Sequence, residues 1–212
     1  MNAKQKLFIF GVSGLAKEVI DLVEEYKEFE VGGILDDDVR THGTIFHGHK
    51  VFGPIEMAND LTGSLFLICI ASIKSSVDRS KIAKSHNIPT ERFATIIHPA
   101  AKVSRSSTIE PGSIVLANST ITANSRLGRF SIVMPSVVIT HDDHVGESCT
   151  FASGSTVAGY VKIGDSVYVG TGANILERVE IGTGAIIGAG SLINRNVPEN
   201  ETWAGIPARR IS

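Results

Sequence analysis

The run Ile139-Thr140-His141-Asp142-Asp143-His144 places two imidazoles and two carboxylates within six consecutive residues. Such a cluster can move protons near neutral pH. An imidazole takes a proton from an incoming amine or hydroxyl, and a neighbouring carboxylate fixes its tautomer and steadies the imidazolium that forms. His141 is therefore the candidate base and Asp142 its partner. Zinc is the competing chemistry, but the third histidine of this half of the chain, His98, lies far upstream, so no metal is expected. His42, His47, His49 and His86 lack ligand spacing and read as surface or loop residues.

A second place for chemistry is Gly11-Val12-Ser13-Gly14. It follows the apolar strand Lys6 to Phe10 and opens a helix whose apolar residues Leu15, Val19, Leu22, Val23 and Tyr26 recur at helical spacing. A glycine turn at a helix N-terminus is suited to a phosphate. The dinucleotide fingerprint is incomplete, with Ser13 and Ala16 where glycines would stand. The next strand, Val31 to Leu35, ends in Asp36-Asp37-Asp38, where a Rossmann-like unit keeps the carboxylate that binds a ribose hydroxyl. A third buried strand, Leu65 to Ala71, and a helix containing Val77, Ile82 and Ala83 complete the region. About 95 residues hold a mononucleotide but no full dinucleotide fold, so a nucleotide-linked substrate fits better than NAD.

The elements that position His141 are repeats. From Ile97 through Val103, Ile109 and Val115 to Ile193, every sixth residue is apolar, and four places after each stands a small or β-branched residue. The odds of this by accident are about one in a billion or worse. Only Asp143 and Cys149 break the second column. The two columns share one face of a short strand, each unit is a strand plus a corner, and three units make a triangular coil with the apolar columns inside. Glycines directly after the apolar column (Gly128, Gly146, Gly164, Gly170, Gly182, Gly188) are expected to supply positive φ at the corners. With no insertion, the prism should be smooth. His141 falls in a corner and should face outward, and a charge where the repeat demands a small residue marks a functional site.

The 212 residues carry 20 basic and 22 acidic side chains and two cysteines. That balance excludes nucleic acid and anionic membrane as natural partners. Two distant cysteines make no disulfide framework, and no stretch reads as a signal peptide or membrane span. A soluble, cytoplasmic protein is expected.

The repeat resembles that of the hexapeptide-repeat acyltransferases, whose coils are left-handed. Gly11-Val12-Ser13-Gly14, Asp36-Asp37, His141-Asp142 and Gly205-Ile206-Pro207-Ala208 together resemble one subgroup. It comprises the N-acetyltransferases of nucleotide-linked 4-amino-4,6-dideoxysugars and the sialic acid O-acetyltransferases. The resemblance implies a nucleotide-sugar-binding, Rossmann-like α/β domain over 1–95. A left-handed β-helix acetyltransferase domain with a C-terminal tail follows over 96–212. It further implies His141 as general base, with Asp142 raising its basicity. Gly11, Ser13, Gly14, Asp36, Asp37 and Gly53 would hold the nucleotide sugar. Met134 and Leu15, near the sugar, replace the family's asparagine and histidine. Thr150, Gly159, Thr171 and Ala189 would line the groove for acetyl-CoA, the acyl-donor cosubstrate. A homotrimer with active sites between subunits is expected, with Phe130, Tyr160 and Tyr168 outward on flat faces. The implied activity is N-acetylation of a nucleotide-linked amino sugar for bacterial surface glycans such as O-antigen or lipopolysaccharide. O-acetylation of a sugar or sialic acid is the alternative. A non-catalytic, nucleotide-sensing β-helix is a second.

Overall fold

The computed structural model describes residues 4–71 and 78–212. Contacts divide the chain into one unit running to Ala71 together with Lys81–Ala94, and a second that takes the segment ending at Ser80 together with Thr95–Ser212.

In the first unit, β1 (Lys6–Phe10), β2 (Glu30–Leu35), β3 (Ile45–Phe46), β4 (His49–Gly53) and β5 (Leu65–Ile68) form one sheet in the order β3-β4-β2-β1-β5. All pairings are parallel except that of β3 with β4. Leu7, Ile9, Phe10, Ile34, Leu35, Phe66 and Leu67 are fully buried, as expected of a parallel sheet covered on both faces. The helix α1 (Gly14–Tyr26) buries Leu15, Ala16, Val19, Ile20, Leu22 and Val23. Tyr26 is half exposed at its end, although its spacing assigns it to the apolar face. Two further differences from the sequence reading are the β3–β4 hairpin, too short and polar to show periodicity, and the end of β5 at Ile68 rather than Ala71. The helix α2 spans Arg79–Ser85, and Val77 lies outside the described residues.

The second unit is a left-handed parallel β-helix. From Ile96 to Ile193 its strands are two residues long and the inner ones pair with strands eighteen residues before and after, as Ile132 does with Ile114 and Thr150; an antiparallel pair, Thr202–Gly205 and Ala208–Arg210, ends the unit. The apolar column is buried from Val115 to Ile193. At the first coil it is open: Ile97 is 41% exposed, and Val103 and Ile109 are partly buried. Beyond Ile193 the register tightens, and Ile181 pairs with Val197 and Ile187 with Trp203.

The corners correct the reading of the glycines. Positive φ occurs at every sixth residue from Gly112 to Gly190, three places after the apolar column, at positions held by Asn118, Asn124, Asp142 and even Phe130, Tyr160 and Arg178. Gly128, Gly164 and Gly170 are absent from that set; a Cβ on them would meet backbone of the next coil at 2.5–2.6 Å. These glycines let coils approach, and other residues make the turns. Phe130 also departs from expectation, because it is buried rather than outward.

The small column is a hydrogen-bonded ladder. Ser131 Oγ donates to the Gly146 carbonyl (3.3 Å) and accepts from the Cys149 N–H (3.2 Å), and Ser113 does the same with Gly128 and Ser131. Ser107, Ser113, Ser125 and Ser131 each donate to a carbonyl fifteen residues on and accept from an N–H eighteen on, whereas the buried Ser155 Oγ has no partner among the described residues. The Cys149 thiol fits the slot, donating to the Gly164 carbonyl at 3.1 Å, and burial pushes its pKa up to about 12. Asp143 also occupies the slot. Its Oδ1 accepts from the Val161 N–H (2.9 Å), while Oδ2 is buried without a partner. A carboxylate cannot donate to the remaining carbonyl; a carboxylic acid can. Burial accordingly pushes the Asp143 pKa up to about 7, against the Val161 and Thr140 backbone N–H groups that lower it.

Arg79 is the other buried charge. Its Nε donates to the Phe130 carbonyl (2.6 Å), and its Nη2 donates to Ser148 O (2.5 Å), Cys149 O (2.9 Å) and Thr150 Oγ1 (3.1 Å). It satisfies carbonyls where the corners carry the chain into left-handed conformation at Phe130 and Ser148.

Two predictions follow from these buried groups. Leaving the Phe130 and Ser148 carbonyls unpaired costs about 1–3 kcal/mol each, so Arg79→Ala should lower stability by about 3 kcal/mol in a urea titration, and an unchanged midpoint would contradict the assignment. For Asp143 the folded pKa lies above the unfolded one, so its contribution is complete below pH 3.8 and is lost as pH rises through about 7. Asp143→Asn, which keeps the acceptor for Val161, should therefore raise the melting temperature relative to the native protein more at pH 8 than at pH 5. Parallel pH curves for the two proteins would show that Asp143 folds ionised.

Candidate active site

His141 stands at a corner after the strand Val138–Ile139, its side chain 51% exposed. Its Nδ1 lies 2.9 Å from Asp142 Oδ2. Because a carboxylate only accepts, Nδ1 carries the proton and Nε2 is left as the basic nitrogen. Asp142 adopts φ +60°, and its Oδ1 accepts from Asn124 Nδ2 at 3.3 Å, one coil below. The hydrogen bond from His141, then that from Asn124, holds the Asp142 carboxyl below its usual range. A Cβ on Gly159 would meet the imidazole at 2.6–2.8 Å, so the ring lies flat over that glycine. Tyr160 packs edge-on against the ring with centroids 5.2 Å apart.

The rest of the cluster does not join this corner. Asp143 points into the prism, and His144 projects from the adjoining sheet, where its Nε2 is 3.4 Å from Arg126 Nη1 among Glu110, Lys162 and Glu180. Met134 is half-buried at the preceding corner of the same coil. Among the described residues no group of three His, Cys, Asp or Glu could hold a metal.

The other expected residues separate into three places. Thr171 and Ala189 stack eighteen residues apart at a further corner, where Gly190 N–H donates to the Thr171 carbonyl at 2.8 Å. Gly159 lies beneath His141. Thr150 is buried on a sheet face against Arg79.

In the first unit, β1 has β2 on one side and β5 on the other, so the chain order reverses beside β1, and the carboxyl ends of strands at such a reversal are where open α/β sheets take ligands. The Gly11-Val12-Ser13-Gly14 turn sits there. Gly11 has φ +100°, and its N–H donates to the Leu35 carbonyl at 2.9 Å. Ser13 caps α1: its Oγ accepts from the Ala16 N–H (3.1 Å) and donates to the Cys69 carbonyl (2.7 Å). Asp36 accepts from the Val12 N–H at 2.6 Å and the Asp38 N–H at 2.8 Å, and its own N–H donates to the Gly53 carbonyl at 2.9 Å. Asp37 accepts from the Ile55 N–H at 2.9 Å. A Cβ on Gly53 would meet Met57 Sδ at 2.7 Å. Gly11, Ser13, Gly14, Asp36, Asp37 and Gly53 are thus gathered at one edge, with open space over Gly14.

The N-terminal histidines are engaged. A His42 ring nitrogen lies 2.8 Å from the Asp36 carbonyl, and His47 and His49 pair with Asp21 and Glu24 on α1. The sequence reading missed Asn124, Tyr160, Arg178 and Arg79. The first three stand eighteen residues apart in one stripe with Asp142, a spacing legible once the coil length is known.

Residues 6–85 match the PglD N-terminal domain, and residues 160–195 match the bacterial transferase hexapeptide (six repeats). A stretch of 115 residues, 51% of the chain, is 32% identical to UDP-N-acetylbacillosamine N-acetyltransferase of Bacillus subtilis and spans half the length of that relative. Among solved structures, PerB from Caulobacter crescentus in complex with CoA and GDP-perosamine superposes with a TM-score of 0.85 at 28% identity, over 98% of this chain and 97% of that one. The acetyltransferase domain of PglB from Neisseria gonorrhoeae, in complex with acetyl coenzyme A, does so with a TM-score of 0.84 at 27% identity, over 99% and 100%. The chain joins a hexapeptide-repeat β-helix to a segment matching the PglD N-terminal domain, and the solved structures it resembles include one named GDP-perosamine N-acetyl transferase, from Caulobacter crescentus.

Proposed function

We propose that this protein transfers an acetyl group from acetyl-CoA to the amine of a nucleotide-linked amino-dideoxysugar destined for a bacterial surface glycan. The observation that carries the reading is His141 at an exposed corner, with Nδ1 turned to Asp142 and Nε2 left as base. It stands on a scaffold shared with enzymes named for this substrate class. Nε2 takes a proton from the sugar ammonium, and the freed nitrogen adds to the thioester carbonyl. The C–S bond then breaks, the nitrogen gives up its second proton to the departing thiolate, and the products are the amide and the coenzyme A thiol. Backbone N–H groups stabilise the oxyanion that forms between these steps. The edge at Ser13, Gly14, Asp36, Asp37 and Gly53 receives the nucleotide. Named relatives acting on perosamine and bacillosamine favour an amine over a hydroxyl acceptor.

Thr171 with Ala189, and Gly159 with His141, stand at different corners of one prism. A ligand held by both sets is accommodated between copies, which supports a homotrimer with sites shared by neighbouring subunits. Cys69 and Cys149 are both buried and lie far apart in the chain, which suits a reducing cytoplasm. No helix among the described residues is long and apolar enough to cross a membrane.

The deciding experiment follows thiol release from acetyl-CoA against GDP-, UDP- and dTDP-linked sugars with and without an amine. Turnover should require the amine. General-base assistance contributes about a hundredfold to ten-thousandfold, so His141→Ala should lower kcat by that factor, and Asp142→Asn by less. Near-native turnover by His141→Ala would remove the mechanism. In sedimentation the protein should run as a trimer, and a monomer at micromolar concentration would contradict the shared site.

A further inference from the structure

A surface pair of histidine and aspartate is too weakly coupled to hold a ring in one orientation, because solvent competes for both partners. His141 is 51% and Asp142 34% exposed, so the pair needs a further constraint. The stripe of residues at eighteen-residue spacing contains one. Tyr160 follows Asp142 by one coil and occupies the left-handed corner position at φ +63°. That conformation suits glycine or asparagine, which hold it at Gly154, Gly172, Asn118 and Asn124, and it strains a bulky aromatic residue. Phe130 holds the same conformation with its side chain buried, whereas Tyr160 holds it with its side chain half exposed, so core packing does not account for the strain there and a task for the side chain does.

We infer that Tyr160, clamped by Arg178, is a positioning residue that sets the orientation and tautomer of His141. This inference rests on the general-base reading above. Three contacts carry it. The Tyr160 ring meets the imidazole edge-on at 5.2 Å and 85°. The side chain of Tyr160 also favours the charged form of Asp142, after the hydrogen bonds that Asp142 takes from His141 (2.9 Å) and Asn124 (3.3 Å). On the opposite side, the Arg178 guanidinium lies 4.7 Å from the Tyr160 ring centroid, a cation–π contact that fixes the phenol. Gly159 leaves room for the imidazole, Tyr160 closes its side and Asp142 holds Nδ1. A carboxylate held by the His141 and Asn124 donors stays ionised, so it continues to accept from Nδ1, and the basic lone pair stays on Nε2.

Backbone strain makes the test clean. Tyr160→Asn replaces a strained residue by one that favours the left-handed region, so the variant should melt at or above the native temperature. Its kcat should nevertheless fall roughly ten- to hundredfold, because misplacing a reacting group costs about that much. KM for acetyl-CoA and for the nucleotide sugar should stay within about twofold, the signature of a loss confined to the transition state. Tyr160→Phe, which keeps the ring and loses the hydroxyl, should retain most of the activity lost by Tyr160→Asn. In a His141→Ala background, Tyr160→Asn should add no further loss. Turnover within twofold of native for Tyr160→Asn, a change in KM alone, or additive losses in the double variant would each overturn the inference. An impaired His141→Ala beside a fully active Tyr160→Asn would sink this inference and leave the general-base reading standing, whereas a fully active His141→Ala would sink that reading itself.

Discussion

A chain that closes a triangle every eighteen residues must turn three times per coil, and each turn takes one residue into the left-handed region. The strands between turns are two residues long. No coil could persist alone, because its hydrogen bonds run to the coils above and below. The molecule therefore depends on vertical registry: each side chain has its neighbours at plus and minus eighteen, wherever they lie in the sequence. The serine ladder inside the prism and the Asn124, Asp142, Tyr160, Arg178 stripe outside it are products of one stacking rule. So is the packing of His141 over Gly159.

That rule gives two adjacent carboxyl groups opposite characters. Asp142 sits at the turn, faces solvent and is surrounded by donors, which favour the charged form. Asp143 sits one residue on, where the pleat points it inward, and meets a slot built for hydroxyls that must both donate and accept. Neighbouring acids driven to different protonation states are a recurring arrangement where proton transfer occurs. Here the difference arises from the alternation of in and out along a strand and its corner, with no additional machinery.

Much of this was legible in the sequence, for identifiable reasons. The apolar column showed itself because a solenoid interior tolerates nothing else at that position, and β1, α1 and the Asp36-Asp37 edge showed themselves through apolar runs and turn residues. The His141 corner stood out because it breaks the repeat. Arg79 was invisible: one arginine in a polar segment carries no signal that it caps the carbonyls of Phe130 and Ser148. The glycines were noticed for the wrong reason, since close approach and positive φ both select glycine and period alone does not separate them. Tyr160 passed as an ordinary surface aromatic because its meaning depends on what lies eighteen residues earlier.

The Gly11 to Gly14 turn and the Asp36-Asp37 edge show how the same residue can shape a proposed site while being expected to bind within it. Both Asp36 oxygens already hold backbone, one the Val12 N–H of the glycine turn and the other the Asp38 N–H. Ser13 is occupied as a cap and as a donor to Cys69. Those bonds lock the turn between β1 and α1 before any ligand arrives, so binding there carries little ordering cost. On the proposed reading, recognition falls to groups the lock leaves available: the N–H groups at the start of α1, the second lone pairs of Asp36, and Asp37 beyond its bond from the Ile55 N–H. A residue removed from the lock would weaken binding by loosening the turn, and one removed from the outward set would weaken it by losing a contact. The first kind of loss should extend to every nucleotide alike, and the second should depend on which nucleotide is offered.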